Sequence, residues 1–310
     1  MVVLMNPRAR GGSGEKRWQR VQEELRRRFG DLRMIPFENP ADARSRVAAA
    51  LRDGEREFIA AGGDGTVSFL ADSLLELAGR DTHGEIRMGA IGLGSSNDFH
   101  KPASRGERIG GVPCRIAFPQ AAPHDAGLLQ FEDADGGVCA RHWVLNASIG
   151  LTAEGNLAFN RAGGFLSRLK LWSPALGIAY AAVRTGISFQ PRTWSIAQDG
   201  GPAARERLAN LGVVKNPHVS GSLRYDSPYE PGSGSFDIQI CRATSRAGMF
   251  LTLARLLRGR FLGLPWTRTA SGTRLEVAAD SPFAVEIDGE VVQTRRACFS
   301  LQPRALRICP

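Results

Sequence analysis

Lysine is scarce in this chain: only four of its 40 basic residues are Lys, and the rest are Arg. Cysteine is scarce too. Cys114, Cys139, Cys241, Cys298 and Cys309 are odd in number, scattered, and never form a Cys-x-x-Cys pair. That argues against a disulfide framework or a thiolate metal site and suits a cytoplasmic location. Long apolar runs are missing. The longest, Leu171 to Val183, is broken by Ser173 and Pro174, short of the ~20 residues a membrane-spanning helix needs. The opening Met-Val-Val-Leu-Met-Asn-Pro has no basic stretch before its apolar residues and no small-residue cleavage site, so it predicts a first β-strand rather than a signal peptide. Repeats, low-complexity tracts and a Gly-Lys-Ser/Thr phosphate loop are also absent.

What is present is an ordinary globular composition, 43% hydrophobic and 23% charged over 310 residues, enough for about two domains. The net charge of +9 favours anionic partners: nucleic acid, nucleotide phosphates or an acidic membrane surface. The first third alternates strand and helix patterns. Strands are predicted at Val2–Met5, Arg33–Phe37, Glu57–Ala61 and Arg87–Ile91, with helices at about Glu15–Phe29, Pro40–Arg52 and Thr66–Ala78. This order implies a parallel sheet in an α/β domain, with helices on both faces. Ligands of such sheets sit beyond the carboxyl ends of the strands.

After about Ile116 the rhythm changes. His142–Ile149, Thr193–Ala197, Leu211–Val214, Phe236–Cys241, Arg274–Ala278 and Phe283–Ile287 read as short strands between Gly, Pro, Asp and Ser clusters. They imply an antiparallel β-sandwich, interrupted by helical segments near Gly164–Val183 and Ser245–Phe261. The expected division is 1–116 for the α/β domain and 117–310 for the sandwich, with the extreme C-terminus free to return to the first.

Three glycine-bearing turns follow predicted strands. Asn6-Pro7-Arg8-Ala9-Arg10-Gly11-Gly12-Ser13-Gly14 follows the first. Glycines let backbone N–H groups approach a phosphate, and a following helix N-terminus favours the anion. Gly62-Gly63-Asp64-Gly65-Thr66 carries an acid inside such a turn. A carboxylate facing polyphosphate needs Mg²⁺ between the two. Gly92-Leu93-Gly94-Ser95-Ser96-Asn97-Asp98-Phe99 brings hydroxyls, an amide and a second carboxylate to the same edge.

Together, Asn6-Pro7, Gly62 to Thr66 and Gly94 to Phe99 resemble the diacylglycerol kinase catalytic-domain family, which includes bacterial lipid kinases and sphingosine and ceramide kinases. Asp125-Ala-Gly, Asn146-Ala-Ser-Ile-Gly150 and Ile287-Asp288-Gly289-Glu290 continue the resemblance over nearly the whole chain. Gly-Gly-Asp-Gly alone is shared with NAD kinases; the later motifs narrow the likeness to lipid kinases. The resemblance implies a nucleotide-binding α/β domain (NAD kinase/diacylglycerol kinase-like) joined to a β-sandwich. It implies ATP contacts from Asn6, Pro7, Gly62, Gly63, Asp64, Gly65, Thr66, Val67, Ser68, Ser95 and Asn97. It further implies an Asp64, Asp98 and Asp125 network holding Mg²⁺, and Glu290 as proton acceptor for a lipid hydroxyl, with Asp64 and Asp288 as further catalytic residues. A carboxylate suits that role, because an alcohol attacking a phosphoryl group must lose its proton.

The sequence also departs from the family. The stretch Glu230-Pro-Gly-Ser-Gly-Ser-Phe-Asp237 matches a loop that in bacterial members carries an additional Mg²⁺. Ser233 stands where a metal-binding Asp is expected, which puts a site built from Glu230, Ser233 and Ser235 in doubt. The basic stretches around Arg161, Arg168, Lys170, Arg184 and Arg192, and from Ile238 to Leu275, contain no acid. They suggest a transient, peripheral anionic membrane contact. The aromatics do not interleave with them as in nucleic-acid readers, so no nucleic-acid partner is expected. The leading expectation is an ATP:diacylglycerol kinase. Other acceptors (a sphingoid base, ceramide or another long-chain alcohol), an NAD kinase-like enzyme and a non-catalytic nucleotide-binding homologue remain open, as does the oligomeric state, a dimer included.

Overall fold

The computed structural model describes residues 1–78, 84–102, 107–133, 135–160, 184–243 and 245–310. The helix expected near Gly164–Val183 and the basic residues Arg161, Arg168 and Lys170 lie outside the described residues. The chain forms two units, Met1–Ala126 with Gln302–Pro310, and Gly127–Leu301.

In the first unit, β1 (Val2–Met5), β2 (Arg33–Pro36), β3 (Glu57–Gly62) and β4 (Arg87–Gly92) run parallel in the order β2-β1-β3-β4. The single helix expected over Glu15–Phe29 is instead a series of short pieces, α1 (Ala9–Gly12), α2 (Gly14–Trp18) and α3 (Gln22–Phe29). Arg10 and Gly11, with φ 52° and 66°, interrupt the first piece. Val21, at φ −113°, separates the last two. Trp18, Val21 and Leu25, spaced so that helical turns carry them on one face, pack in a single cluster with Val3, Met5, Ile59, Ala61 and Ile91. Helix α4 (Pro40–Arg52) starts as its sequence demands: the Asn39 side chain accepts from the Ala41 and Asp42 N–H groups, and Pro40 takes the first turn. Helix α5 (Asp64–Leu77) packs on α4 and on β3.

A hairpin of β5 (Glu107–Ile109) and β6 (Val112–Arg115) pairs antiparallel with the end of β4, while Arg307 and Ile308 pair parallel with its start. Arg115, 4% exposed, fixes this corner. Its guanidinium donates to the carbonyls of Cys309 (2.8 Å) and Phe99 (2.9 Å) and lies 4.5 Å from the Phe99 ring centre.

Strand β7 (Ala122–Glu132) carries the chain out of the first unit. The second unit adds β8 (Val138–Trp143), β9 (Asn146–Gly150), α6 (Leu151–Asn160), β10 (Arg192–Gln198), β11 (Ala204–Leu208) and β12 (Asn210–Val214). A small pair follows, β13 (His218–Val219) and β14 (Leu223–Arg224), then β15 (Phe236–Cys241), α7 (Arg246–Leu256), β16 (Thr267–Gly272), β17 (Arg274–Ile287) and β18 (Glu290–Ile308). The described strands pair antiparallel in the order β16-β15-β12-β9-β17-β18, with β10 and β11 on the outer part of β17.

Two expected strands, Arg274–Ala278 and Phe283–Ile287, are one strand whose register shifts between Ala278 and Phe283. Conversely, the expected His142–Ile149 strand is two, because the backbone at Val144 and Leu145 bonds elsewhere. The core holds Trp143, Trp194, Phe236, Phe283 and Phe299, all nearly fully buried. Gly127 has no room for a side chain, since a Cβ there would overlap the Trp143 indole. Gly127→Ala should therefore lower the unfolding free energy by roughly 1–3 kcal/mol, read as a lower denaturant midpoint at unchanged slope.

Candidate active site

The strand order places a switch point between β1 and β3: the chain leaves β1 for β2 on one side and later takes up β3 on the other. A crevice opens at the carboxyl ends of such a pair, and the sequence puts Asn6-Pro7 and Gly62 to Thr66 there. The two turns are tied together. Asn6 Nδ2 donates to Thr66 Oγ1 at 3.2 Å, and the Asn6 N–H donates to Ala61 O at 2.9 Å. Gly62 must be glycine because a Cβ would overlap Thr66. The turn after β4 comes equally close. A Cβ on Gly94 would lie 2.5 Å from Gly63 Cα, and the N–H groups of Leu93 and Gly94 both donate to Gly62 O, at 2.8 and 3.2 Å.

This contact brings two acids together. Asp64 is the first residue of α5, whose N-terminus no side chain caps, leaving backbone N–H groups for an anion. Its Oδ1 accepts from the Phe99 N–H at 2.9 Å. Burial, and next the Asp98 charge, push the Asp64 carboxyl above the usual carboxylate range; the Phe99 N–H and the Lys101 ammonium oppose the rise. Asp98 is buried and paired with Lys101. Next to it, burial, then Arg115 and Arg108, push the His100 imidazole down to about 3, so the ring stays neutral.

Asn97 stands in the left-handed region at φ 48°. Its Nδ2 donates to the carbonyls of Gly92 and Gly94, both at 3.1 Å, while its buried Oδ1 has no partner among the described residues. A buried acceptor without a protein partner is uncommon. Arg17, which the sequence did not single out, braces the same turn by donating to Gly92 O at 2.9 Å.

The other residues of the expected nucleotide and metal sets divide. Ser95 and Gly65 are exposed at the rim, Pro7 and Ser68 are half-buried, and the Val67 side chain is buried in the core. Asp125 is fully buried, and its Oδ1 accepts from the Arg304 N–H at 2.9 Å, holding the returning C-terminal strand. Among the described residues no three acidic, His or Cys side chains converge. The Asp64 and Asp98 pair still fits Mg²⁺, which takes one or two carboxylates and fills its shell with phosphate oxygens and water.

In the second unit, Asp288 has φ 47° in the turn between β17 and β18. Its carboxylate accepts three backbone N–H groups: Val144 (2.9 Å), Leu145 (3.0 Å) and Asn146 (2.9 Å). Asp288 is thus committed to holding the backbone, and Glu290, two residues on, is the exposed acid. A further buried acid, missed in the sequence, locks the turn. Glu286 accepts from the Gly289 N–H (2.6 Å) and from the Ser148 hydroxyl (2.8 Å). A lone Glu inside the apolar run Phe283–Ile287 was the available signal. In the Glu230–Ser235 loop, the Glu230 carbonyl, Ser233 hydroxyl and Ser235 carbonyl all accept from Lys215 Nζ, at 3.1, 3.1 and 2.7 Å.

The chain also resembles known proteins. Residues 1–124 match the diacylglycerol kinase catalytic domain, and residues 158–310 match the YegS C-terminal NAD kinase beta sandwich-like domain. A probable lipid kinase YegS-like of Xanthomonas euvesicatoria is 33% identical over 92% of this chain and 88% of its own. A diacylglycerol kinase of Mycobacterium tuberculosis is 25% identical over 98% of this chain and 95% of its own. Among solved structures, a putative diacylglycerol kinase from Bacillus anthracis superposes with a TM-score of 0.73 at 16% identity, covering 99% of this chain and 96% of that one; that likeness is one of fold.

Two predictions follow from the electrostatics. Because the folded state raises the Asp64 pKa, ionised Asp64 costs stability once pH exceeds the ordinary carboxylate range, and not below it. Asp64→Asn should match the wild type in acid and become the more stable protein as pH rises, measured by melting at several pH values. A uniform loss at every pH would mean that charge is not what strains this site. Asp288→Ala, which strands three buried N–H groups, should cost roughly 3–5 kcal/mol in a denaturant titration.

Proposed function

Because this chain belongs to the diacylglycerol kinase catalytic-domain family of lipid kinases, phosphotransferases acting on an alcohol group, we propose that it phosphorylates diacylglycerol with ATP, giving phosphatidic acid and ADP. The observation that carries the nucleotide half is the Asp64 and Asp98 pair beside the uncapped N-terminus of α5, at the strand-order switch point. Backbone N–H groups of the Gly62–Thr66 turn bind phosphate oxygens, and Asn6, bonded to Thr66, fixes the shape of that cradle. Asn97 Oδ1 accepts from the nucleotide. Asp64 and Asp98 would hold Mg²⁺, which when bound neutralises charge on the phosphates.

In the transfer, the acceptor oxygen bonds to the γ-phosphorus as the bond to the β–γ bridging oxygen breaks. Glu290 takes the hydroxyl proton, and ADP leaves with the bridging oxygen. Glu290 suits this work because its side chain is exposed, while Asp288 and Glu286 are spent on holding the turn.

A peripheral membrane contact is part of the proposal. No described helix is long and apolar enough to cross a membrane. In and after α7, Leu251, Leu257 and Leu262 are 46%, 57% and 39% exposed, beside exposed Arg258 and Arg260. Apolar side chains among arginines suit an anionic lipid surface. The inner side of the same segment serves the core: Met249, Leu256 and Phe261 are buried, and Trp266 Nε1 donates to Thr252 at 2.9 Å.

The test is transfer of radiolabelled γ-phosphate to a panel of diacylglycerol, sphingoid base, ceramide and NAD. Diacylglycerol should be labelled, with Asp64→Ala and Glu290→Ala each slowing transfer by at least ~100-fold. Labelling of another lipid alone would replace the acceptor, and labelling of NAD alone would replace the reaction class. Protein that binds ATP and labels nothing would sink the kinase reading.

A further inference from the structure

Lys215 follows β12, an apolar strand whose five residues are all buried, and is itself only 4% exposed. A buried ammonium must find hydrogen-bond acceptors for its three N–H groups. It finds them in one loop: Glu230 O at 3.1 Å, Ser233 Oγ at 3.1 Å and Ser235 O at 2.7 Å. Ser233 in turn donates its hydroxyl to Ser235 O at 3.1 Å. These are the residues that the family resemblance would assign to an additional Mg²⁺. They do not fit one. The oxygens sit at ammonium distances, whereas Mg²⁺ demands a near-octahedral shell at about 2.0–2.1 Å. The position where a carboxylate would offset a divalent charge holds a neutral serine, and a buried positive charge already lies among the donors.

We propose that the Lys215 ammonium is a resident cation that replaces a structural metal ion, so that the Glu230–Ser235 loop is closed by a side chain and takes up no Mg²⁺. The lysine and serine form one exchange. With an Asp at 233 the loop would carry a negative charge that calls for a mobile divalent ion; with Ser233 and Lys215 the charge is supplied from within the chain. Lysine, and not the arginine this chain otherwise prefers, suits the place because three acceptors around a point match a compact ammonium rather than a planar fork. The Lys215 backbone, not its ammonium, is tied toward the turn that carries Glu290. The backbone N–H groups of Lys215 and Asn216 donate to Leu145 O, at 3.0 and 2.8 Å, and the Leu145 N–H donates to Asp288.

The test is thermal melting without nucleotide, in EDTA and in millimolar MgCl₂. A background combining Asp64→Asn and Asp98→Asn removes both acids of the first unit that would hold the ion. The parent should melt at one temperature in both buffers. Lys215→Met should melt roughly 5–10 °C lower, equally in both. Lys215→Ala combined with Ser233→Asp should regain part of that loss in MgCl₂ alone. If Mg²⁺ raises the parent's melting temperature, or if Lys215→Met melts with the parent, the proposal is overturned. The parent titration needs no change at Lys215, so it decides the matter even if the variants do not fold. The readout is stability, so the outcome is independent of which molecule the enzyme phosphorylates.

Discussion

The first unit depends on how closely the turns after β3 and β4 approach. Gly63 and Gly94 meet backbone to backbone, and one carbonyl, Gly62 O, accepts from both Leu93 and Gly94. No larger residue fits at that contact, and everything functional in the unit hangs from it. It sets the start of α5, and it brings Asp98 close enough to raise the pKa of Asp64. It also presses Asn97 into the left-handed region, with a buried oxygen left over. Such strained and under-bonded groups are expected where structure is spent on binding rather than on stability.

The second unit solves a different problem, which is to fix one exposed carboxylate. Glu290 itself is held by little. Its neighbours do the holding: Asp288 gathers three N–H groups from 144–146, and Glu286 binds Gly289 and Ser148. Within five residues, three acids thus have three environments, and only the outermost is exposed. Lys215 reaches the same segment through Leu145.

Much of this was legible in the sequence because its causes are local. Asn39-Pro40 announces the start of α4, and glycine clusters after apolar runs mark the carboxyl edge of the parallel sheet. What the sequence hid has tertiary causes. The expected Glu15–Phe29 helix is broken where Val21 leaves helical geometry, although Trp18, Val21 and Leu25 keep the spacing of one helical face. The split after Trp143 comes from Asp288, more than 140 residues away. Strand β18 runs 19 residues through paired arginines and Pro303, a pattern that does not alternate cleanly, because its two ends serve different units. Lysine scarcity was a signal left unused. Among so many arginines, Lys101 and Lys215 stand where a small, point-like charge meets a carboxylate or a ring of oxygens.

The return of residues 302–310 to the first unit has a consequence for biosynthesis. The second unit is one continuous stretch, Gly127–Leu301, and can close its fold without residues 302–310. The first unit, although translated first, cannot. Arg115 waits for Cys309, Asp125 waits for Arg304, and β4 waits for Arg307 and Ile308. The first unit is therefore finished last, and a ribosome stalled before residue 302, or a protease cutting there, would strike the half of the protein farthest away in sequence.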